Sequence, residues 1–470
     1  MQWDEFEDYS KKMATWAADY HRTLRDRSVR AQVSPGDTLA RLPATAPEVA
    51  EPMDDVLSDF ENIVMPGITH WQHPRFFAYF PSNAAPPSVL AEQIVSAISA
   101  QCMLWQTSPS ATELETRMME WICEGLGLPD TFTGVIQDSA SSATLAAVLT
   151  MRERALDWQG NQQGLSGQRA IRIYCSDQVH TSIDRAIWIA GIGQDNLIKL
   201  PTSGSKKSID IEALKAAIAA DRAAGYLPAG IIAVTGSTGM GACDDIDAIV
   251  AVAKAENLFT HLDAAWAGSA MFCPEFREIW SGAEKCDSIV FNPHKWLGAQ
   301  FDCSVQFLRD PDALRQTLAI RPEYLKTHTQ TEVVDYSEWS VPLGRRFRAL
   351  KIWFLIRYYG LEGLRARIRN HVAWSNNLAA RLAKESDFEI ITDPVLSLFT
   401  FRYAPANANN LDQLNQKLVD QINDDGRIYL TQSAHDGMTV IRFVAGQFDM
   451  KAEDAQIAFE AITEVAQNLG

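Results

Sequence analysis

The sequence predicts an α/β protein: a large domain on a mostly parallel sheet, a helical N-terminal arm before it and a small α+β domain after it. Three observations lead there. Between about residues 86 and 310, helical stretches alternate with short apolar runs at 134–137, 170–175, 230–234, 258–262 and 288–291, the spacing of βαβ units. Polar or small residues follow nearly every run, as expected where an open α/β sheet gathers its active site beyond the carboxyl ends of its strands. The chain has 470 residues, 47% hydrophobic and 21% charged, enough to bury a large core without disulfides or metals.

In chain order, residues 1–85 read as helices joined by Pro-punctuated connections such as Ser34-Pro35-Gly36 and Met65-Pro66-Gly67. Trp3, Phe6, Met13 and Trp16 lie near helical spacing, so this arm carries an apolar face that it cannot bury alone and is expected to pack on another domain or subunit. Residues 86–355 form the expected large domain. Within it, about 311–345 is polar with little periodicity, and about 326–340 reads as a mobile loop over the site. A helix from Arg346 to Tyr359, ended near Gly360, leads to the small domain at 356–470, with strands at 397–403 and 438–444.

Charge and composition exclude several classes. With 42 Lys+Arg against 59 Asp+Glu the net charge is −17, which disfavours nucleic acid and anionic membrane surfaces. No run of about 18 apolar residues spans a membrane, and the N-terminus lacks the apolar core of a signal peptide. The seven cysteines are scattered, form no CxxC pair and suit neither a disulfide framework nor a zinc site, so a reducing cytoplasm is the expected location.

Four strand-end positions carry chemistry. Lys295, directly after the run 288–291 and between His294 and Trp296, sits where partial desolvation makes a lysine amine nucleophilic enough for Schiff-base formation. Asp263 ends another run; beside a pyridine nitrogen a buried carboxylate keeps that nitrogen protonated, the arrangement that makes pyridoxal 5'-phosphate an electron sink. Ser139-Ala140-Ser141 lies between a strand and a helix start, where backbone amides and hydroxyls can cradle a phosphate. His180 could stack on a cofactor ring, and Thr238 and Asn292 could add donors. Each has a plain alternative, as a helix cap, a turn former or a surface group. Together they point to a coenzyme site.

At these residues the chain resembles the aromatic-L-amino-acid decarboxylase family, the pyridoxal-phosphate-dependent group II decarboxylases of fold type I. The resemblance runs through residues 73–81 (HPRFFAYFP), 108–115 (SPSATELE), 134–137 (GVIQ), 292–296 (NPHKW) and 339–348 (WSVPLGRRFR), in that order. It implies a seven-stranded large-domain sheet, pyridoxal 5'-phosphate as cofactor, and a homodimer in which the N-terminal segment wraps its partner and two subunits build each site. It further implies that Lys295 binds the cofactor covalently, Asp263 pairs with the ring nitrogen, His180 stacks on the ring, and Ser139, Ala140, Ser141, Thr238, Ala265, Asn292 and His294 surround phosphate and ring. Trp71, Tyr79, Phe80, Pro81 and Ser82 match the substrate-pocket segment, and Tyr336 is assigned as the loop tyrosine that returns a proton to Cα. Family members with phenylalanine at the loop position tend to make aldehydes instead of amines.

Gly344 matches members that accept bulky indole or catechol rings, and a glycine leaves room for them. Two departures stand out: Asp138 replaces an expected glycine before the phosphate cradle, and Met103 stands where an aromatic residue often lines the partner's pocket. The expected activity is decarboxylation of an aromatic L-amino acid to its amine. An aldehyde synthase, an aminotransferase, a decarboxylase of acidic or diamino substrates and a non-catalytic scaffold are the alternatives.

Overall fold

All five apolar runs of the large domain become strands in the computed structural model, which describes residues 1–320 and 333–469. In chain order the strands are β1 (Thr133–Gln137), β2 (Ile171–Ser176), β3 (Leu197–Leu200), β4 (Thr202–Ser203), β5 (Ser208–Ile209), β6 (Leu227–Val234), β7 (Phe259–Asp263), β8 (Ser288–Phe291) and β9 (Ser304–Leu308). Seven of them form one sheet in the order β1-β9-β8-β7-β6-β2-β3. The seven-stranded sheet implied by the resemblance is therefore present.

The pairs β3-β2, β2-β6, β6-β7 and β7-β8 are parallel, whereas β9 runs antiparallel to both β8 and β1. The connection explains the exception. Parallel neighbours are usually joined by a crossover helix, and the Asn292–Cys303 link holds only a five-residue turn at Pro293–Leu297 before the chain reverses. Two strands of this sheet, β3 and β9, are not among the apolar runs because Lys199 and Gln306 interrupt their apolar patterns.

The helix Ala140–Ala155 lies across the sheet with Ala143, Ala146, Ala147, Val148 and Met151 fully buried. Small side chains let it approach closely, and Gly230 on β6 completes the fit: a Cβ there would stand 2.6 Å from Met151 Sδ. β6 is buried from Pro228 to Val234, the near-continuous apolar run of a strand covered on both faces.

By compactness the chain divides into two units: residues 1–81 with 374–391 and 400–470, and residues 82–373 with 392–399. Residues 1–81 thus group with C-terminal residues, and the later boundary falls at 373 because the helix Ala349–Leu382 runs on past its break at Gly360 (φ 65°). The C-terminal strands β10 (Phe388–Val395), β11 (Leu398–Tyr403), β12 (Thr431–His435) and β13 (Met438–Val444) pair in the order β10-β11-β13-β12. The N-terminal helix Trp3–Thr23 buries none of its residues, and Trp3 is 76% exposed.

The polar stretch after β9 is more ordered than its composition suggests, since Pro311–Leu318 is a helix capped by Asp310 and Tyr336–Trp339 a 3-10 turn. Of the expected loop at 326–340, residues 326–332 lie outside the described residues.

Candidate active site

Strand alternation and sheet order bring the candidate residues of the larger unit to one edge of the sheet. β6, β7 and β8 are adjacent and parallel, so Thr235, Asp263 and Asn292 emerge from their carboxyl ends side by side. Asp263 is buried at 6% exposure, and its Oδ1 accepts the Ala265 amide at 3.0 Å. Ala265 ties the next strand end in, since its carbonyl accepts the Asn292 amide at 2.8 Å. Asn292 is buried and accepts the Ser304 hydroxyl through Oδ1.

Lys295 follows one turn later in the five-residue turn Pro293–Leu297, with its amide donating to Asn292 O at 2.9 Å. Its carbonyl accepts the Asn83 side-chain amide at 2.6 Å, and the Asn83 backbone amide donates to His294 O at 3.0 Å, so the residues just after Ser82 brace the lysine turn. Beneath it Trp296 is buried and stacks on Trp266 with ring centroids 5.0 Å apart. The lysine is thus half-buried on a rigid support, as its sequence context suggested. His294 is buried, its Nδ1 accepts the Cys303 amide at 3.0 Å, and burial together with the Lys295 charge pushes its pKa down to about 4. It is neutral and serves the turn.

His180 caps the helix Thr181–Ile189, with Nδ1 accepting the Ser182 amide at 3.1 Å. The ring is open to solvent on one side. Desolvation on the other lowers its pKa, and the charges of Asp263 (opposing the shift) and Lys295 (adding to it) both reach it. The imidazole, the carboxylate and the amine therefore belong to one electrostatic neighbourhood.

Ser139 is the N-cap of the helix Ala140–Ala155: its Oγ accepts the Ser142 amide at 3.2 Å, and its carbonyl accepts the Ala143 amide at 3.1 Å. That leaves the amides of Ala140 and Ser141 at the open helix end for an external acceptor. Ser141 is exposed and Thr238 half-exposed. The turn carrying Thr238 needs Gly236 (φ +77°), where a Cβ would come within 2.6 Å of Ala267 Cβ. Thr235, beside Asp263, has a buried hydroxyl with no hydrogen-bond partner among the described residues. Amine, carboxylate, imidazole and an open helix N-terminus at neighbouring strand ends match the donor set that pyridoxal phosphate requires.

The smaller unit holds Trp71, Tyr79, Phe80 and Pro81. Trp71 and Tyr79 are exposed and stack with centroids 5.8 Å apart, whereas Phe80 is buried under the Arg442 guanidinium, 4.5 Å from the ring centre. Ser82 begins the larger unit. In the larger unit Met103 is half-buried and its carbonyl accepts the Ser337 amide at 3.0 Å. Gly344 is exposed and lines two cavities: one of about 500 Å3 with Gln101, Arg345, Arg346 and Arg348, and one of about 70 Å3 with Gln137, Asp138, Arg345 and Arg348.

Tyr336 is not brought to this group, which corrects its assignment as the proton donor. It is 2% exposed in a cluster with Val135, Ala146, Leu308, Leu314 and Trp339, and its Oη lies 2.9 Å from Thr116 Oγ1. Burial and the nearby Glu115 charge push its phenol pKa up. A phenol held this way is a packing residue. Its apolar neighbours at Val334 and Trp339, visible in the sequence, were the signal for a buried turn. The polar segment has one other tyrosine, Tyr324, outside the described residues.

The same sequence reading also passed over the buried pair beneath the cradle strand. Arg345 and Glu115, 5% and 3% exposed, meet at 2.6 Å and 3.1 Å, and Arg345 also donates to Ile136 O while Glu115 accepts the Ile136 amide. Both residues lie in the segments 108–115 and 339–348, but Glu113, Arg346 and Arg348 share those segments, so the sequence does not single out this pair.

Fold and site together define an enzyme of the pyridoxal-phosphate class. Residues 35–404 match the pyridoxal-dependent decarboxylase conserved domain. The chain is 38% identical to an aromatic-L-amino-acid decarboxylase of Mus musculus, across 99% of this chain and 98% of that protein. It is 36% identical to a phenylacetaldehyde synthase of Arabidopsis thaliana, across 100% of this chain and 97% of that protein. A crystal structure of the Oryza sativa protein described as TDC with PLP and tryptamine superposes with a TM-score of 0.96 at 32% identity, covering 100% of this chain and 99% of that one. The chain belongs to the pyridoxal-dependent decarboxylase family, and its cofactor is pyridoxal phosphate.

Proposed function

We propose that the protein decarboxylates an aromatic L-amino acid to the corresponding amine and carbon dioxide. The observation that carries the reading is that Lys295, Asp263 and His180 follow the carboxyl ends of β8, β7 and β2 in one sheet, with the charges of Lys295 and Asp263 reaching His180, and that an open helix N-terminus follows β1. End-to-end similarity to an aromatic-L-amino-acid decarboxylase supports the substrate class. Bound pyridoxal phosphate supplies an electron sink for the pair released when the Cα–carboxylate bond breaks.

The chain's own residues do the rest. Lys295 would hold the cofactor covalently through its amine and yield that place to the substrate amine. Asp263 would hold a proton at the pyridine nitrogen, and its burial strengthens that interaction. His180, kept neutral by its lowered pKa, offers a flat face to the ring. The amides of Ala140 and Ser141, with Ser139, Thr238, Ala265, Asn292 and His294 around them, would seat the phosphate and ring substituents. Trp71, Tyr79, Phe80, Pro81, Ser82 and Gly344 would contact the substrate, and Met103 would line the pocket of a partner subunit. The uncovered apolar face of the helix Trp3–Thr23 supports such a homodimer.

Among the described residues no helix is long and apolar enough to cross a membrane, and all seven cysteines are free and buried. Both features support a cytoplasmic location. The acidic charge supports the absence of a nucleic-acid partner.

Mass spectrometry of the holoenzyme with L-tryptophan, L-DOPA, L-tyrosine and L-phenylalanine tests the reading. Amine from at least one is expected. Aldehyde with ammonia would transfer the protein to the synthase activity named for one of its relatives, and no product from any would remove the aromatic assignment.

A further inference from the structure

The residue before the phosphate cradle carries a negative charge, and the structure gives it one hydrogen-bond partner and one cation across a small cavity. Asp138 Oδ1 accepts the Ser139 hydroxyl at 3.0 Å, nearer than the alternative acceptor Ser142 Oγ at 3.3 Å, so the N-cap hydroxyl is drawn toward a carboxylate. Asp138 also shares the 70 Å3 cavity with Arg348. Arg348 is held through Nε by Asp302 Oδ1 at 2.9 Å. Burial works against the Arg348 cation, and Asp302 together with the more remote charge of Asp138 outweighs it, raising its pKa. The other guanidinium lining this cavity, Arg345, is already committed to Glu115.

The open amides of Ala140 and Ser141 and the positive end of a 16-residue helix favour one anion. In this chain a side-chain carboxylate is fixed at that same end, and a bound phosphate must share the helix field with it. Arg348, shared with Asp302, supplies only part of a compensating charge.

We propose that Asp138 is a positioning residue that attenuates the hold on the coenzyme phosphate through charge, acting through the Ser139 hydroxyl and balanced by Arg348. The coenzyme is thereby bound less tightly than the cradle alone would bind it, and the enzyme exchanges between coenzyme-free and coenzyme-loaded forms more readily. The inference rests on the cradle assignment in the proposed function.

The test separates charge from hydrogen bonding. Apoprotein of the wild type, Asp138→Asn, Asp138→Ala and Arg348→Gln is titrated with pyridoxal phosphate, and binding is read from tryptophan fluorescence and coenzyme absorbance without any turnover assay. Asparagine keeps an acceptor for Ser139 and removes the charge; alanine removes both. Asp138→Asn and Asp138→Ala should each bind roughly 3- to 30-fold tighter than the wild type, the range for one charge a few ångströms from the phosphate in a partly solvated site. Arg348→Gln should bind more weakly, and Asp138→Asn added to it should recover affinity. The 31P resonance of the bound phosphate should shift between wild type and Asp138→Asn.

Unchanged affinity in Asp138→Asn with weaker binding in Asp138→Ala would make Asp138 a support of the helix cap and overturn the proposal. So would weaker binding in both. Failure of the wild-type apoprotein to bind the coenzyme at all would overturn the cradle assignment itself, a different outcome from either.

Discussion

Replacing Tyr336 by phenylalanine separates the assignment made by resemblance from the packing seen in the structure. The substitution removes one oxygen, which lies 2.9 Å from Thr116 Oγ1, and leaves the ring with Trp339 at 5.8 Å and Arg345 at 5.0 Å. Thr116 keeps a partner, because its hydroxyl also donates to Thr112 O at 3.2 Å. No buried polar group is orphaned, so the cost is one net hydrogen bond, about 1 kcal/mol. Tyr336→Ala removes the ring from a cluster of six buried residues and should cost about 3–5 kcal/mol. Thermal melts of the holoenzyme and product mass spectrometry on the same samples test both statements. Tyr336→Phe should melt slightly below wild type and give the same product at a similar rate. A switch from amine to aldehyde in a variant that melts like wild type would refute the structural role and restore Tyr336 as the proton donor. Tyr324→Phe is the companion experiment: if a tyrosine of the polar segment returns the proton, this variant should change the product.

Further outcomes follow from the same geometry. Lys295→Ala should abolish turnover, read as a loss of at least about 100-fold in kcat, and near-normal activity would remove the lysine from the chemistry. Glu115→Gln leaves Arg345 as a buried cation without its carboxylate and should destabilise the fold by about 3–5 kcal/mol in urea denaturation; a change below about 1 kcal/mol would show that Ile136 O and Cys102 O suffice for the guanidinium. His294 and His261 both have pKa values pushed down to about 4 by burial, so the unfolded chain binds more protons than the folded one between about 4 and 6.5. Stability should therefore be complete above pH 6.5 and fall as pH drops toward 4, and a flat denaturation midpoint across that window would refute their buried, neutral state.

Where the chemistry depends on residues adjacent in sequence, it was legible before any fold was known. Asp263 closes one apolar run and Lys295 follows the next by four residues, and charged residues placed so close behind apolar runs point to strand ends at a site. Ser139-Ala140-Ser141 before a helical stretch announces a cap, and the structure puts the cap and its open amides there. Tyr336 shows the limit. Its segment is polar in composition, but burial is decided by what surrounds a side chain, and Val135 and Ala146 come from a stretch far earlier in the chain, Leu308 and Leu314 from the strand and helix just before it. The same holds for Arg345 and Glu115, which are 230 residues apart and meet only because the strand β1 lies between them.

The sequence by itself determined the class of fold, because hydrophobic periodicity is a local property, and its resemblance to a known family pointed to the coenzyme. Only the tertiary structure decided that β9 turns back antiparallel, that Tyr336 packs in an apolar cluster, and that Asp138 lines one small cavity with Arg348, itself held on Asp302. Each of those depends on which distant residues share a dielectric environment, and proximity of that kind exists only once the chain has folded.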